Sequence, residues 1–141
     1  MNTGELIREQ RRYKGLTQKQ LAEAIGASEP SIRLYELGKR TPSEDILAKI
    51  AKALEISPAA LRAYDVENVR EALEMLFRLE DEYGLKPFAD GDVRGLALDP
   101  KAPKAPKLSM AIDAWLDMRN KADTGDDFDV EYSLLKASFK G

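Results

Sequence analysis

The stretch ASEPSIRLYELGKR, residues 27–40, places Ser28, Glu29, Ser31, Arg33 and Lys39 in helical register with Ile32 and Tyr35. Hydroxyls, a carboxylate, a guanidinium and an ammonium group can hydrogen-bond a polar surface or neutralise an anion, whereas the two apolar residues belong against a core. The whole chain carries a net charge of −3. Attraction for a polyanion must therefore come from local geometry and local charge. Other chemistry is scarce. With no histidine and no cysteine, the chain has no disulfide, no imidazole or thiolate metal site and no nucleophile built on either residue. Carboxylate or Ser/Lys chemistry remains, but no constellation of such residues is recognisable. The expectation is a protein that is not an enzyme, with no catalytic, metal or cofactor site.

Charge is unevenly divided. Residues 1–63 hold eleven Lys or Arg against eight Asp or Glu, a balance of +3, and residues 64–141 hold eleven against seventeen, a balance of −6. The two parts thus suit different partners. Apolar runs are short, and the opening MNTGELIREQRRYKG lacks the apolar core of a signal peptide, so a cytoplasmic location with no membrane contact is expected.

The elements that would position the polar residues follow from caps and stripes. A charged segment containing Leu6 and Ile7 predicts a first helix to about Lys14, closed by Gly15. TQKQLAEAI opens with Thr17 and carries Gln20 three residues later, a capping box, and Gly26 ends this second helix. Ser28 caps a third helix, which Gly38 stops; Ser43 caps a fourth, with Ile46, Leu47, Ile50, Ala51 and Leu54 on one side. Ser57 and Pro58 open a short fifth helix ending near Ala63. Asp65 is then expected to cap a long helix bearing Val66, Val69, Leu73, Leu76, Phe77 and Tyr83, closed by Gly84. A two-stranded hairpin around DGD near residues 86–98, a stiff PKAPKAPK spacer, and two terminal helices packed on Trp115 complete the expectation, with Trp115 and Phe77 in the core. The carboxylates Asp123, Asp126, Asp127 and Asp129 lack the closing bidentate Glu of a calcium loop and read as caps and turns.

Two short helices crossing steeply through a three-residue turn need a small residue at the crossing, a turn residue tolerant of positive φ, and apolar facing sides. Ala22, Gly26, Leu21, Ile25 and Ile32 supply them. This is a helix-turn-helix, whose second helix is the one that enters a major groove. Indeed GLTQKQLAEAIGASEPSIRLYELGKRTPSEDILAKIAKALEISPAAL resembles the Cro/C1-type (XRE-type) helix-turn-helix family of bacterial and phage regulators, over about residues 4–63, while the C-terminal half is only weakly matched.

The resemblance implies a five-helix lambda-repressor-like DNA-binding domain at 1–63; with the helical region and small β-hairpin that the pattern predicts over 64–141, a mainly α protein is expected. It implies a sequence-specific transcriptional regulator, a repressor bound to double-stranded DNA. The family's phosphate-binding Gln falls on Gln18, its base-reading positions on Ser28, Glu29, Pro30, Ser31, Arg33 and Leu34, and its backbone-contacting loop on Lys39, Arg40 and Thr41. Glu36 falls where a structural Glu is common. Glu29 and Pro30 depart from the usual Gln or Thr, since a carboxylate repels phosphate and proline donates nothing, so an unusual sequence preference is expected. Arg8, Arg11 and Arg12 read either as a solvated face or as phosphate contacts. The exposed apolar residues of the long helix point to a homodimer formed through residues 64–141. The alternative is an antitoxin or adaptor that binds a protein partner through the C-terminal half and autoregulates through the N-terminal half.

Overall fold

Each short helix of the N-terminal segment begins at a side chain that satisfies its free backbone donors. In this computed structural model, which describes residues 1–64, 66–122 and 128–139 with the side chain of Phe128 excepted, α1 (Thr3–Tyr13) opens on a capping box between Asn2 and Glu5. The box between Thr17 and Gln20 opens α2 (Gln18–Ile25), which closes at Gly26 with φ 69°. Ser28 caps α3 (Glu29–Glu36), with Pro30 in its first turn, and Ser43 caps α4 (Glu44–Leu54). The expected fifth helix is a single 3-10 turn, Pro58–Leu61, capped by Ser57. α4 ends on a non-glycine residue in the left-handed region, its C-cap Glu55 at φ 57°.

These elements close over one apolar core. Ile7, Leu21, Ile32, Ile50, Leu54 and Leu61 are fully buried, with Ala22, Tyr35, Leu47 and Ala51 around them. Burial of each large side chain contributes roughly 1.5–3 kcal/mol. Gly4 lets α1 reach the end of α3: a β-carbon there would lie 2.2 Å from the Tyr35 carbonyl oxygen. Any side chain at residue 4 would push the two helices apart.

The chain divides into two compact units, Met1–Tyr64 with Met118–Gly141, and Asp65–Asp117. The sequence pattern alone groups 64–141 as one region; in the structure α7 (Phe128–Ser138) packs within the first unit. Its Ala137 is buried in that unit's core, its Ala137 carbonyl accepts from the Ser57 backbone N–H at 2.6 Å, and its Ser133 hydroxyl accepts from Gln10 Nε2 at 3.3 Å. Tyr132, also buried, carries the Arg119 guanidinium over its ring at 5.5 Å and the Lys136 ammonium at 4.5 Å.

The second unit starts with α5 (Val69–Tyr83), capped by Asn68 and not by the expected Asp65, which lies outside the described residues. Val66 therefore precedes the helix. At its other end Gly84 is left-handed, φ 72°, and also lies so close to Ala102 that a β-carbon would come within 2.6 Å of it. The expected hairpin is present as β1 (Leu85–Asp90) and β2 (Val93–Leu98), antiparallel, with Leu85 opposite Leu98 and Asp90 opposite Val93. Its two-residue connection puts Gly91 first, at φ 56°, where primed hairpin turns need positive φ. α6 (Ala105–Ala122) begins inside the proline–lysine spacer, three residues ahead of the expected start. Pro106 is tolerated because a first-turn residue has no intrahelical N–H bond to lose.

Two expected core residues are not core. Trp115 is 51% exposed and Phe77 45% exposed. The helical spacing of the apolar residues is present, but α5 has no buried residue. Asp123, Asp126 and Asp127 lie outside the described residues, while Asp129 sits in the first turn of α7. Among the described residues, no helix is long and apolar enough to cross a membrane.

Candidate nucleic-acid interface

α3 has two faces of opposite character. Ile32, Tyr35 and Glu36 point into the protein, while Pro30, Arg33, Leu34 and Leu37 point out. Ser28 is exposed but occupied: its hydroxyl accepts from the Ser31 backbone N–H and lies 2.8 Å from the Ser31 hydroxyl. Glu29 and Ser31 are half-buried in the first turn. Beyond the helix, Lys39, Arg40 and Thr41 are all exposed, and the Lys39 and Arg40 backbone N–H groups both bond the Leu34 carbonyl. The Arg40 guanidinium stands 5.7 Å from the centre of the Tyr35 ring, which orients a long cationic side chain at the end of α3.

Behind this face lies a buried ionic network linking three helices. The Glu36 carboxylate accepts from Arg11 Nε at 2.5 Å, from Arg11 Nη2 at 3.0 Å and from Gln18 Nε2 at 2.8 Å. Arg11 spends a further N–H on the Leu16 carbonyl at 2.7 Å. Arg11 and Glu36 are 9% and 6% exposed, so the pair holds α1 against α3 in a medium where a lone charge would be costly. Burial, the largest single influence, would raise the Glu36 carboxyl. The hydrogen bonds from Arg11 and Gln18 and the charges of Arg11 and Arg8 outweigh it and hold the group below its ordinary value.

The sequence pattern groups Arg11 with Arg8 and Arg12 as a solvated or phosphate-binding face. The structure takes Arg11 out of that set and leaves Arg8 and Arg12 exposed. Glu36 as a structural residue agrees with the structure. Its partner could not be found by spacing, since the two are 25 residues apart. Gln18 gives one amide hydrogen to Glu36, and because a carboxamide nitrogen carries two donors, one is left for a ligand.

Residues 7–61 match the helix-turn-helix family model, and it is this N-terminal segment that is similar to the Cro/C1-type helix-turn-helix regulators. It is 45% identical over 58 residues to an uncharacterized HTH-type transcriptional regulator of Mycobacterium tuberculosis, a match covering 41% of each chain. It is 44% identical over 57 residues to the cryptic phage CTXphi transcriptional repressor RstR of Vibrio cholerae, covering 40% of this chain and 51% of the relative. The match to multiprotein-bridging factor 1 of Debaryomyces hansenii is 39% over 56 residues, covering 40% and 37%. These matches span about half the length of the relatives or less. The DNA-binding domain of the P22 C2 repressor, solved in solution, aligns with 31% identity over 43% of this chain and 80% of that one, with a TM-score of 0.42.

Proposed function

We propose that the protein is a cytoplasmic, sequence-specific DNA-binding transcriptional regulator, a repressor that occupies its operator as a homodimer and has no enzymatic activity. The observation that carries this reading is the division of α3 between a buried face and a polar, basic one that continues into Lys39, Arg40 and Thr41. A helix of that kind, held from behind by Arg11 and Glu36, suits insertion into a major groove. In this reading Ser28, Glu29, Pro30, Ser31, Arg33 and Leu34 meet base edges, and Gln18, Lys39, Arg40 and Thr41 meet the backbone. The selection of duplexes from a random pool, followed by binding isotherms at several salt concentrations, tests it. Replacing Lys39 or Arg40 by alanine should weaken preferred and scrambled duplexes about equally and lower the slope of log K against log salt by about 0.9 per lost phosphate contact. Failure of any duplex to be enriched overturns the reading.

Dimerisation is assigned to the second unit, residues 65–117, where Val69 is 77%, Phe77 45%, Leu96 48% and Trp115 51% exposed. Such apolar surface calls for a covering partner. If that partner is a second copy, light scattering of the full-length chain gives twice the monomer mass, and selected sites show half-sites about 10 base pairs or a multiple apart. The same exposed residues favour the second reading, an antitoxin or adaptor that binds another protein there. A full-length chain that stays monomeric at high concentration rejects the homodimer and moves the adaptor ahead.

A further inference from the structure

The two edges of the small sheet in the second unit differ. The Asp99 backbone N–H donates to the Gly84 carbonyl at 2.9 Å, one step beyond the Leu85–Leu98 pair, and this fixes which pairs of the hairpin exchange hydrogen bonds. By the alternation of an antiparallel ladder, Leu85–Leu98, Pro87–Leu96 and Ala89–Arg94 are the pairs whose backbone groups turn outward. β1 lies against α5, and the middle one of its outward residues is a proline with no N–H to give. β2 is the open edge. Arg94, Leu96 and Leu98 each present an N–H and a carbonyl there, and among the described residues none of these groups has a partner.

Side chains divide on the same alternation. Phe88 lies across Gly95, where a β-carbon would come within 2.5 Å of the ring, so the middle of one face is closed by the chain's own aromatic residue. Leu96 stands on the other face beside Pro87 and is 48% exposed. Arg94, the one charge on this edge, is turned back on the Gly91 and Val93 carbonyls at 2.8 and 3.2 Å, and so does not bar a strand from approaching. Charge is also arranged lengthwise. Asp90 and Asp92 stand at the turn, and Lys101 follows the far end of β2, its backbone N–H tied to Asp99 Oδ1 at 2.9 Å. All three are exposed, and among the described residues none of them forms an ion pair.

We propose that β2 pairs antiparallel with β2 of a second copy, joining the two hairpins into one four-stranded sheet with a twofold axis at Leu96. The inference rests on the homodimer reading and names its interface. Arg94 and Leu98 are equally spaced about Leu96, so antiparallel apposition sets Arg94 against Leu98 of the second copy and Leu96 against itself, and each of these pairs exchanges two backbone hydrogen bonds. An isolated pair of strands is marginal, whereas three or more with an apolar face make a stable sheet. Charge decides the occupant and its direction. The antiparallel arrangement carries the acidic turn of each copy to the far end of β2 in the other, where Asp90 and Asp92 meet Lys101. A parallel arrangement would bring the two acidic turns together.

Because the chain has no cysteine, a single thiol reports on the axis in the full-length protein. Opposite residues of such a pair have Cα atoms about 5.5 Å apart, within disulfide range. Under mild oxidation Leu96→Cys should give a covalent dimer, and Ala89→Cys, on the outward side of β1, should not. Leu96→Pro removes an N–H that takes no part in the hairpin, so it should weaken the dimer about tenfold or more in a dilution series followed by light scattering. The third measurement is a charge exchange that leaves the strands untouched. Lys101→Asp should weaken the dimer about threefold, and Asp92→Lys/Lys101→Asp should recover it. A dimer in which Leu96→Cys cross-links no faster than Ala89→Cys overturns the strand pairing and leaves the homodimer standing. Cross-linking at Leu96 without rescue by the charge exchange overturns the antiparallel register. A parent that stays monomeric at high concentration overturns both the pairing and the homodimer.

Discussion

Replacing Glu36 by alanine should destabilise the N-terminal unit by about 3–5 kcal/mol, the cost of leaving a buried guanidinium without its partner. Arg11 is 9% exposed and directs two N–H groups at this carboxylate. Without it those donors face no acceptor, and Gln18 loses its anchor as well. Urea unfolding of the variant measures the loss. A decrease under 1 kcal/mol would show that water enters and solvates Arg11, and the network would then not be what joins α1 to α3. The paired change Arg11→Met/Glu36→Leu should recover much of the loss, because it removes both charges and refills the space with apolar atoms.

The same network sets the direction of a pH effect. Since the folded-state value of Glu36 lies below its ordinary one, the stability it contributes is fully present above the ordinary glutamate value and is lost as pH falls through the lowered folded value. Glu36→Gln removes this titration, so the acid limb of its stability profile should be flatter than that of the parent.

How far this architecture is legible in sequence depends on the range of the interaction. Caps act over three residues, and Thr17 with Gln20, Ser28, Ser43 and Ser57 all sit where their local pattern puts them. Apolar stripes act over one or two turns, and Ile32 and Leu47 are buried accordingly. Longer connections leave no local mark. Arg11 looks like any residue of a charged helix face until Glu36 is brought to it, and Gly4 looks like a poor helix former until the Tyr35 carbonyl arrives beside it. The docking of Ala137 is of the same kind, since a small residue in a helical pattern says nothing about which core it will enter. For Trp115 and Phe77 the pattern misleads differently. Spacing identifies the face that wants burial but not whether the same chain provides the cover. In the site, the outward set of α3 follows from the inward one, whereas a cavity lined by Arg8, Arg12 and Arg33 depends on how α1 crosses α3.

Ile32 and Leu34 bring this contrast to a measurement, because they stand two residues apart on α3 with similar side chains and opposite surroundings. Ile32 is 0% exposed and packed in the core, whereas Leu34 is 38% exposed on the outward face. Ile32→Ala removes methyl and methylene groups from a site that neighbours from α1 and α2 cannot fully refill, so a loss of about 2–5 kcal/mol is expected in equilibrium unfolding. Leu34→Ala leaves no cavity and should stay within about 0.5 kcal/mol of the parent. On DNA the order reverses. With both proteins held well below their unfolding transitions, Leu34→Ala should lose discrimination between the preferred duplex and one altered at a single base pair, because an apolar side chain on this face reads a thymine methyl or nothing. Ile32→Ala should keep that discrimination and differ only in the fraction folded. If both variants keep full discrimination, the outward face of α3 does not read bases. If Leu34→Ala proves as destabilising as Ile32→Ala, the outward face belongs to the fold and α3 is a scaffold.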